Sequence, residues 1–277
     1  MLNYSYERIL DLDFLVRYGY YDFEIKKETD VDDILEYAYS PTVYEKIFNM
    51  NDLAEIIKED KEVIKKFLKI SNVPVTEPIY FSIPKNESSR RLYKLPNIYN
   101  YLILANYIND NKKVLIFTFE NNQYSTSKYF NQFDIKYKIT QKIKKNLLMN
   151  GKKRFYLDLA NFYHTLYTHS IPWVVNGKEI AKQNKKGGFA NNIDYLIQQS
   201  QYGDSYGIPV GNLLSRIIAE YYMCHIDSIL ESKYVYARYV DDIVFPFNYE
   251  EERLKFFRDF RDLCDKFNLH INDKKLK

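Results

Sequence analysis

Residues 236–245 read YARYVDDIVF, and the two adjacent aspartates, Asp241 and Asp242, interrupt a run otherwise rich in β-branched and aromatic residues. Such a run forms a half-buried strand, where carboxylates are depleted and rarely leave water without a partner. Two neighbouring carboxylates also repel each other. The segment can therefore fold in few ways. Either the pair sits at the solvated turn of a hairpin, or positive charge is brought to it. A turn that needs only tight geometry more commonly carries Asn-Gly or Asp-Gly. Asp-Asp is a poor structural choice, which gives weight to a charged partner.

A third carboxylate has the same context. Asp158 ends the apolar run RFYLD and leads into LANFYHTLY. If the two strands are neighbours, Asp158 and Asp241 converge. Converging carboxylates suit hard divalent cations such as Mg²⁺ or Mn²⁺. Two such ions about 3.5–4 Å apart suit phosphoryl transfer, one activating the attacking oxygen and one steadying the leaving group. Alone, this pattern is weak, because most Asp pairs are surface turns.

The chain of 277 residues is long enough for one large or two modest domains. With 46% hydrophobic residues it does not have the composition of a disordered chain. Its net charge of +3 is unevenly placed, since residues 1–60 carry 15 acidic against 6 basic side chains and the remainder 22 against 34. A basic body suits a polyanionic partner, although charge runs are equally the mark of solvated faces. Two cysteines, Cys224 and Cys264, make no CxxC pair. A disulfide framework is not expected, and a reducing, cytoplasmic compartment fits. The N-terminus lacks the charged-then-apolar pattern of a signal peptide, and no stretch of about 18 apolar residues exists to span a membrane.

Apolar spacing predicts short helices within 1–70, including DDILEYAY and a helix capped by Asp52. Three prolines in 71–89 mark a boundary into an extended segment. VLIFTFE (114–120) reads as a strand. GNLLSRIIAEYYMCHIDSIL (211–230) reads as a long helix opened by Gly211 and Asn212, and ERLKFFRDFRDLCDKFNLHI as another. QKIKKNLLMNGKKR (141–154) has six basic residues and no acid, a stretch that grips a polyanion or is merely solvated. The four histidines and two cysteines lack zinc spacing, THS (168–170) has no GxSxG elbow, and NGKKR is not a P-loop.

The order of the segments is more specific than any one of them. RFYLDLANFYHTLYTHSIPW, GIPVGNLLSRIIAE and RYVDDIVFPF follow one another as motifs A, B and C of a reverse transcriptase palm do. FNLHINDKK resembles motif D, and SSRRLYKLP is similar to a fingers motif of that family. FLVRYGYYD, YFSIPKNESSRR, STSKYFNQ and NFYHTLYTHSIPW resemble the abortive-infection reverse transcriptases of the AbiK type, which are bacterial anti-phage proteins.

That resemblance implies an α/β (or α+β) fold: a helical N-terminal segment (1–75), fingers (76–153) and a palm (154–277), with 174–200 assignable to palm or fingers. No thumb, and no C-terminal helical domain of the AbiK kind, is expected within the chain. It implies an enzyme that adds dNTPs with Mg²⁺ or Mn²⁺, untemplated, on a protein hydroxyl, leaving DNA covalently attached. Asp158, Asp241 and Asp242 would be metal ligands and catalytic residues. Lys275 would be the motif D general acid. Arg90 and Arg91 would clamp the triphosphate, and Tyr163 would exclude a ribose 2′-hydroxyl. Gly207, Pro209 and Gly211 would shape the loop beside the nascent pair. Tyr37, in LEYAYSP, would prime, with Tyr39 its nearest rival. Homo-oligomerisation would come with the C-terminal domain, and no membrane partner is expected. Val210 replaces the glutamine of many templated enzymes. A templated, retron-like enzyme and an inactive nucleic-acid-binding module are the rival readings.

Overall fold

The computed structural model describes residues 6–21, 50–130, 137–183 and 187–277. It is a mixed α/β molecule whose centre is the helix Leu213–Leu230. Fourteen of that helix's 18 residues are buried, so its sequence is apolar nearly all round rather than on one stripe. Asn212 caps it, its side chain accepting from the Ser215 N–H at 2.9 Å, as the sequence predicts.

Beside the helix lies a three-stranded antiparallel sheet in the order β3 (Lys153–Asp158), β5 (Asp242–Phe247), β4 (Ala237–Tyr239). Its central strand, β5, buries Ile243, Val244, Phe245 and Phe247. Along β3 the side chains alternate, with Phe155 and Leu157 buried and Tyr156 exposed between them. The helix Glu250–Phe267 packs on the sheet by its aromatics: Phe256 stacks on Phe245 at 4.2 Å, and Phe257 meets Phe155 edge-on. Three glutamates open this helix, matching its dipole, and Asn268 ends it in the left-handed conformation. The outer edge of β3 is covered by the last residues of the chain. The Tyr156 N–H donates to the Lys277 carbonyl at 2.9 Å, and the Asn272 N–H to that of Asp158 at 2.8 Å.

A separate two-stranded hairpin, β1 (Ile79–Asn86) and β2 (Ser89–Leu95), stands off the body with Ile79, Tyr80, Phe81, Ile83 and Leu92 exposed. It is tied down where the Lys94 N–H donates to the Val210 carbonyl at 3.1 Å.

A buried charge cluster joins sheet to helix. Arg238, on β4, donates to Glu220 at 2.8 Å and to Asp227 at 2.8 Å, and all three are at most 3% exposed. Burial alone would push the Glu220 carboxyl up, but the Arg238 charge and its hydrogen bonds outweigh that and hold it low. Tyr236 donates to Asp227 at 2.7 Å, and so does Asn122 at 2.7 Å. Segment 124–127 runs along the edge of β4: the Arg238 N–H donates to the Tyr124 carbonyl, and the Thr126 N–H to that of Arg238.

Several expectations are corrected. Residues 114–120 are not a strand but part of the helix Lys112–Asn121. Leu115 and Phe119, four apart, are its buried pair, and Val114 and Phe117 face out, so the 3.6 period prevails over β propensity. Asp52 lies in the first turn of the helix Met50–Glu59 rather than capping it. RRLYKL, within the segment similar to a fingers motif, is most of β2. DDILEYAY lies outside the described residues. Both cysteines are buried and free. Among the described residues, no helix is long and apolar enough to cross a membrane.

Arg238→Met leaves two buried carboxylates without their cation. We expect it to cost about 3–5 kcal/mol of unfolding free energy, read from urea denaturation. A loss below about 1 kcal/mol, the worth of an exposed pair, would contradict this account.

Candidate active site

Asp158 is the last residue of β3 and Asp242 the first of β5, and the register places them directly opposite. Tyr239, at the end of β4, faces Asp242 from the other side. Only Val240 and Asp241 separate β4 from β5. Val240 has φ +55° and Asp241 is not in the positive-φ region, the pattern of a type II′ turn. Glycine is the usual residue at that first position, and a β-branched side chain there is strained. The turn sets Asp241 at its tip, half-buried. The sequence predicts that Asp158 converges with Asp241; the residue directly across from Asp158 is Asp242, and Asp241 is on the adjoining turn.

The three carboxylates are shifted in different directions. Asp241 is pushed up to about 6, first by burial and then by repulsion from Asp158 and Asp242. Asp242 is raised by burial and by its hydrogen bond and repulsion with Asp158. Burial also pushes Asp158 upward, but hydrogen bonds from Lys275 and Asn272 outweigh it and hold the carboxyl low. Lys275 Nζ lies 2.7 Å from Asp158 Oδ1, and Asn272 Nδ2 2.8 Å from Oδ2. Lys275 is raised in return, chiefly by that carboxylate.

Asp158 and Asp242, but not Asp241, line a cavity of about 550 Å³ whose walls also include Tyr239, Lys144, Lys275 and Lys277. Carboxylates and ammonium groups lining one cavity suit a ligand that carries phosphate together with a cation. The donor set itself, three carboxylates and no sulfur or imidazole, fits a hard divalent ion. In the structure the Asp158 oxygens are turned to Lys275 and Asn272, and among the described residues no three His, Cys, Asp or Glu side chains are closed around an ion position.

The other expected residues form a second group, and none lines this cavity. Tyr163 lies on the short helix Phe162–Thr165, five residues beyond Asp158. Its carbonyl accepts from the Ile208 N–H at 2.8 Å. Gly207, at φ +75°, is pressed against the His164 backbone, where an added Cβ would lie 2.8 Å from the carbonyl oxygen. Pro209 is buried next to it. Gly211 faces the Tyr93 ring of β2, which a Cβ would meet at 2.4 Å. Arg90 donates to the Ser82 hydroxyl and carbonyl across the hairpin, at 2.8 and 2.7 Å. Arg91 is exposed opposite Ile83. Tyr37 and Tyr39 lie outside the described residues.

Sequence reasoning missed Asn272 and Lys277, and placed Lys144 only within a basic run. Asn272 stands three residues before Lys275, and that spacing puts both on one Asp158 carboxylate. No pattern in the sequence marks Ser127, which accepts from the Val240 N–H of the turn, or Glu220, which Ser127 and Arg238 both bond.

No family model matches the chain, and no curated protein matches it. Among solved structures it is similar to the apo telomerase of Candida tropicalis, with 15% identity and a TM-score of 0.44, covering 75% of this chain and 45% of that one. The chain thus spans less than half the length of that protein.

A carboxyl whose pKa is higher in the fold than its unfolded value of about 3.9 holds its proton more tightly when folded. Its stabilising effect is present at low pH and is lost as pH rises through the folded value, here about 6 for Asp241. Asp158, held low, acts in the opposite sense, but only at pH below the ordinary carboxylate range. We therefore expect the metal-free melting temperature to fall between about pH 4 and pH 6, the unfolded and folded values of Asp241. Asp241→Asn should flatten that slope and be the more stable protein at pH 7. Equal slopes in scanning calorimetry would contradict the assignment.

Proposed function

We propose that this chain is a nucleotidyltransferase that adds deoxynucleotides, with a reverse-transcriptase-like palm (154–277) and fingers (76–153). The observation that carries the reading is the direct pairing of Asp158 with Asp242, with Asp241 on the adjoining turn. Those acids come from the segments that resemble motifs A and C. The sequence thereby places its mutually repelling carboxylates at one point of the fold.

Mg²⁺ or Mn²⁺, held by Asp158, Asp241 and Asp242, would neutralise charge on the phosphates and favour the ionised attacking hydroxyl. The protein's own part is to position and compensate. Lys144, Lys275 and Lys277 face the same cavity and draw a triphosphate into it. Lys275, hydrogen-bonded to Asp158, would be the group that passes a proton to departing pyrophosphate. In the transfer, the hydroxyl oxygen bonds to the α-phosphorus, the bond to the β-phosphate oxygen breaks, and pyrophosphate leaves. Arg90, Arg91 and Tyr163 retain their proposed nucleotide-binding roles, with the Gly207–Gly211 loop joining their two elements. Untemplated synthesis from Tyr37, in anti-phage defence, is supported by the AbiK-type resemblance alone.

The test is to incubate the purified protein with labelled dNTPs and Mg²⁺ or Mn²⁺, without template or primer. We expect label that survives denaturation on the protein, lowered about 100-fold or more by Asp158→Ala or Asp241→Ala. Tyr37→Phe should abolish the covalent product while leaving extension of an added primer. Incorporation that appears only with a matching template would favour the templated reading. No incorporation under any of these conditions would overturn the proposal.

A further inference from the structure

The turn that carries Asp241 is held from outside the hairpin. Val240 is the strained residue, at φ +55°. Its N–H donates to Ser127 Oγ at 2.8 Å, and its carbonyl accepts from Arg238 Nη1 at 3.0 Å. Both peptide groups that flank Val240 are therefore fixed, and the second of them, Val240–Asp241, sets the direction in which Asp241 leaves the turn. The two anchors are themselves joined. Ser127 donates its hydroxyl proton to Glu220 Oε2 at 2.6 Å, and Arg238 pairs with the same carboxylate through Nη2, 2.8 Å from Oε1. Ser125 Oγ lies 3.1 Å from Ser127 Oγ. The Ser127 hydroxyl thus gives its one proton to Glu220 and receives the Val240 N–H.

We propose that Ser127 and Arg238 are positioning residues that act through Val240 to aim Asp241 and Asp242 at Asp158. The inference rests on the metal-site reading of the three aspartates. Charge is the reason the clamp is needed. The three carboxylates repel one another, and a left-handed Val has little intrinsic reason to remain left-handed. Without outside anchors, the turn would relax by rotating the Val240–Asp241 peptide, and Asp241 would swing away from Asp158. Glu220, on the central helix, and Arg238, on β4, belong to the buried charge cluster, so the turn is tied to the interior of the molecule.

The test compares Ser127→Ala with Ser127→Thr, which keeps the hydroxyl, using hydrogen exchange of residues 237–247 and Mn²⁺ titration followed by electron paramagnetic resonance. In Ser127→Ala, exchange at residues 239–242 should accelerate about tenfold, the worth of one hydrogen bond, with the Leu213–Leu230 helix unchanged. The Mn²⁺ dissociation constant should rise about 10- to 100-fold, as when a support of a metal ligand is removed. Ser127→Thr should restore both. Placed on Val240→Gly, where the left-handed turn carries no side-chain penalty, Ser127→Ala should cost less Mn²⁺ affinity. If Ser127→Ala does not fold, Ser127→Cys, a weaker acceptor, serves in its place. Unchanged exchange at the turn, or a uniform acceleration across the chain, would overturn the proposal. A wild-type protein that binds no Mn²⁺ would sink the metal-site reading instead, and the exchange comparison would still decide the clamp.

Discussion

Arg238 is the interaction on which the rest of the arrangement depends. A guanidinium with no solvent contact is tolerable only if its donors are met, and Glu220, Asp227 and the Val240 carbonyl meet them. Those partners belong to the central helix and to the hairpin turn. Its main chain pairs with segment 124–127 as well. One residue therefore fixes the relative placement of sheet, helix and connecting segment. Replacing such a cluster by apolar groups often leaves stability unchanged, so its worth lies in geometry more than in free energy.

The carboxylate site presents the opposite problem. There, like charges meet without enough cations. Burial and mutual repulsion raise Asp241 and Asp242, while Lys275 and Asn272 satisfy only Asp158. The site is electrostatically unfinished next to a cluster that is fully compensated. An unfinished site persists only because its surroundings over-determine it, as the strained Val240 shows.

Much of this was legible in the sequence, and for physical reasons. The β-prone runs on both sides of Asp241 and Asp242 pointed to a hairpin, and the apolar run before Asp158 pointed to a further strand. Asn212 announced the central helix because capping is local chemistry. The 114–120 segment was misread because β-branched residues are compatible with either state until a buried face selects the period. Ser127, Glu220 and Arg238 were illegible as a group. They lie up to 111 positions apart, as Ser127 and Arg238 do. Only the packed fold shows that one hydroxyl serves both a carboxylate and a strained amide. The nucleotide-binding expectations fall on a loop and a hairpin whose placement depends on the body they dock to.

The β1–β2 hairpin meets the body through the Lys94 N–H on the Val210 carbonyl, the buried Lys94 ammonium on the Gln201 side chain and the Tyr93 ring against Gly211. The same loop is bonded at its other end to the backbone of Tyr163 and Leu166. In mechanical terms the hairpin is a lever, and residues 207–212 are its fulcrum. A load on the exposed hairpin would be passed on as a rotation of the loop, and so would reach the segment that begins at Asp158.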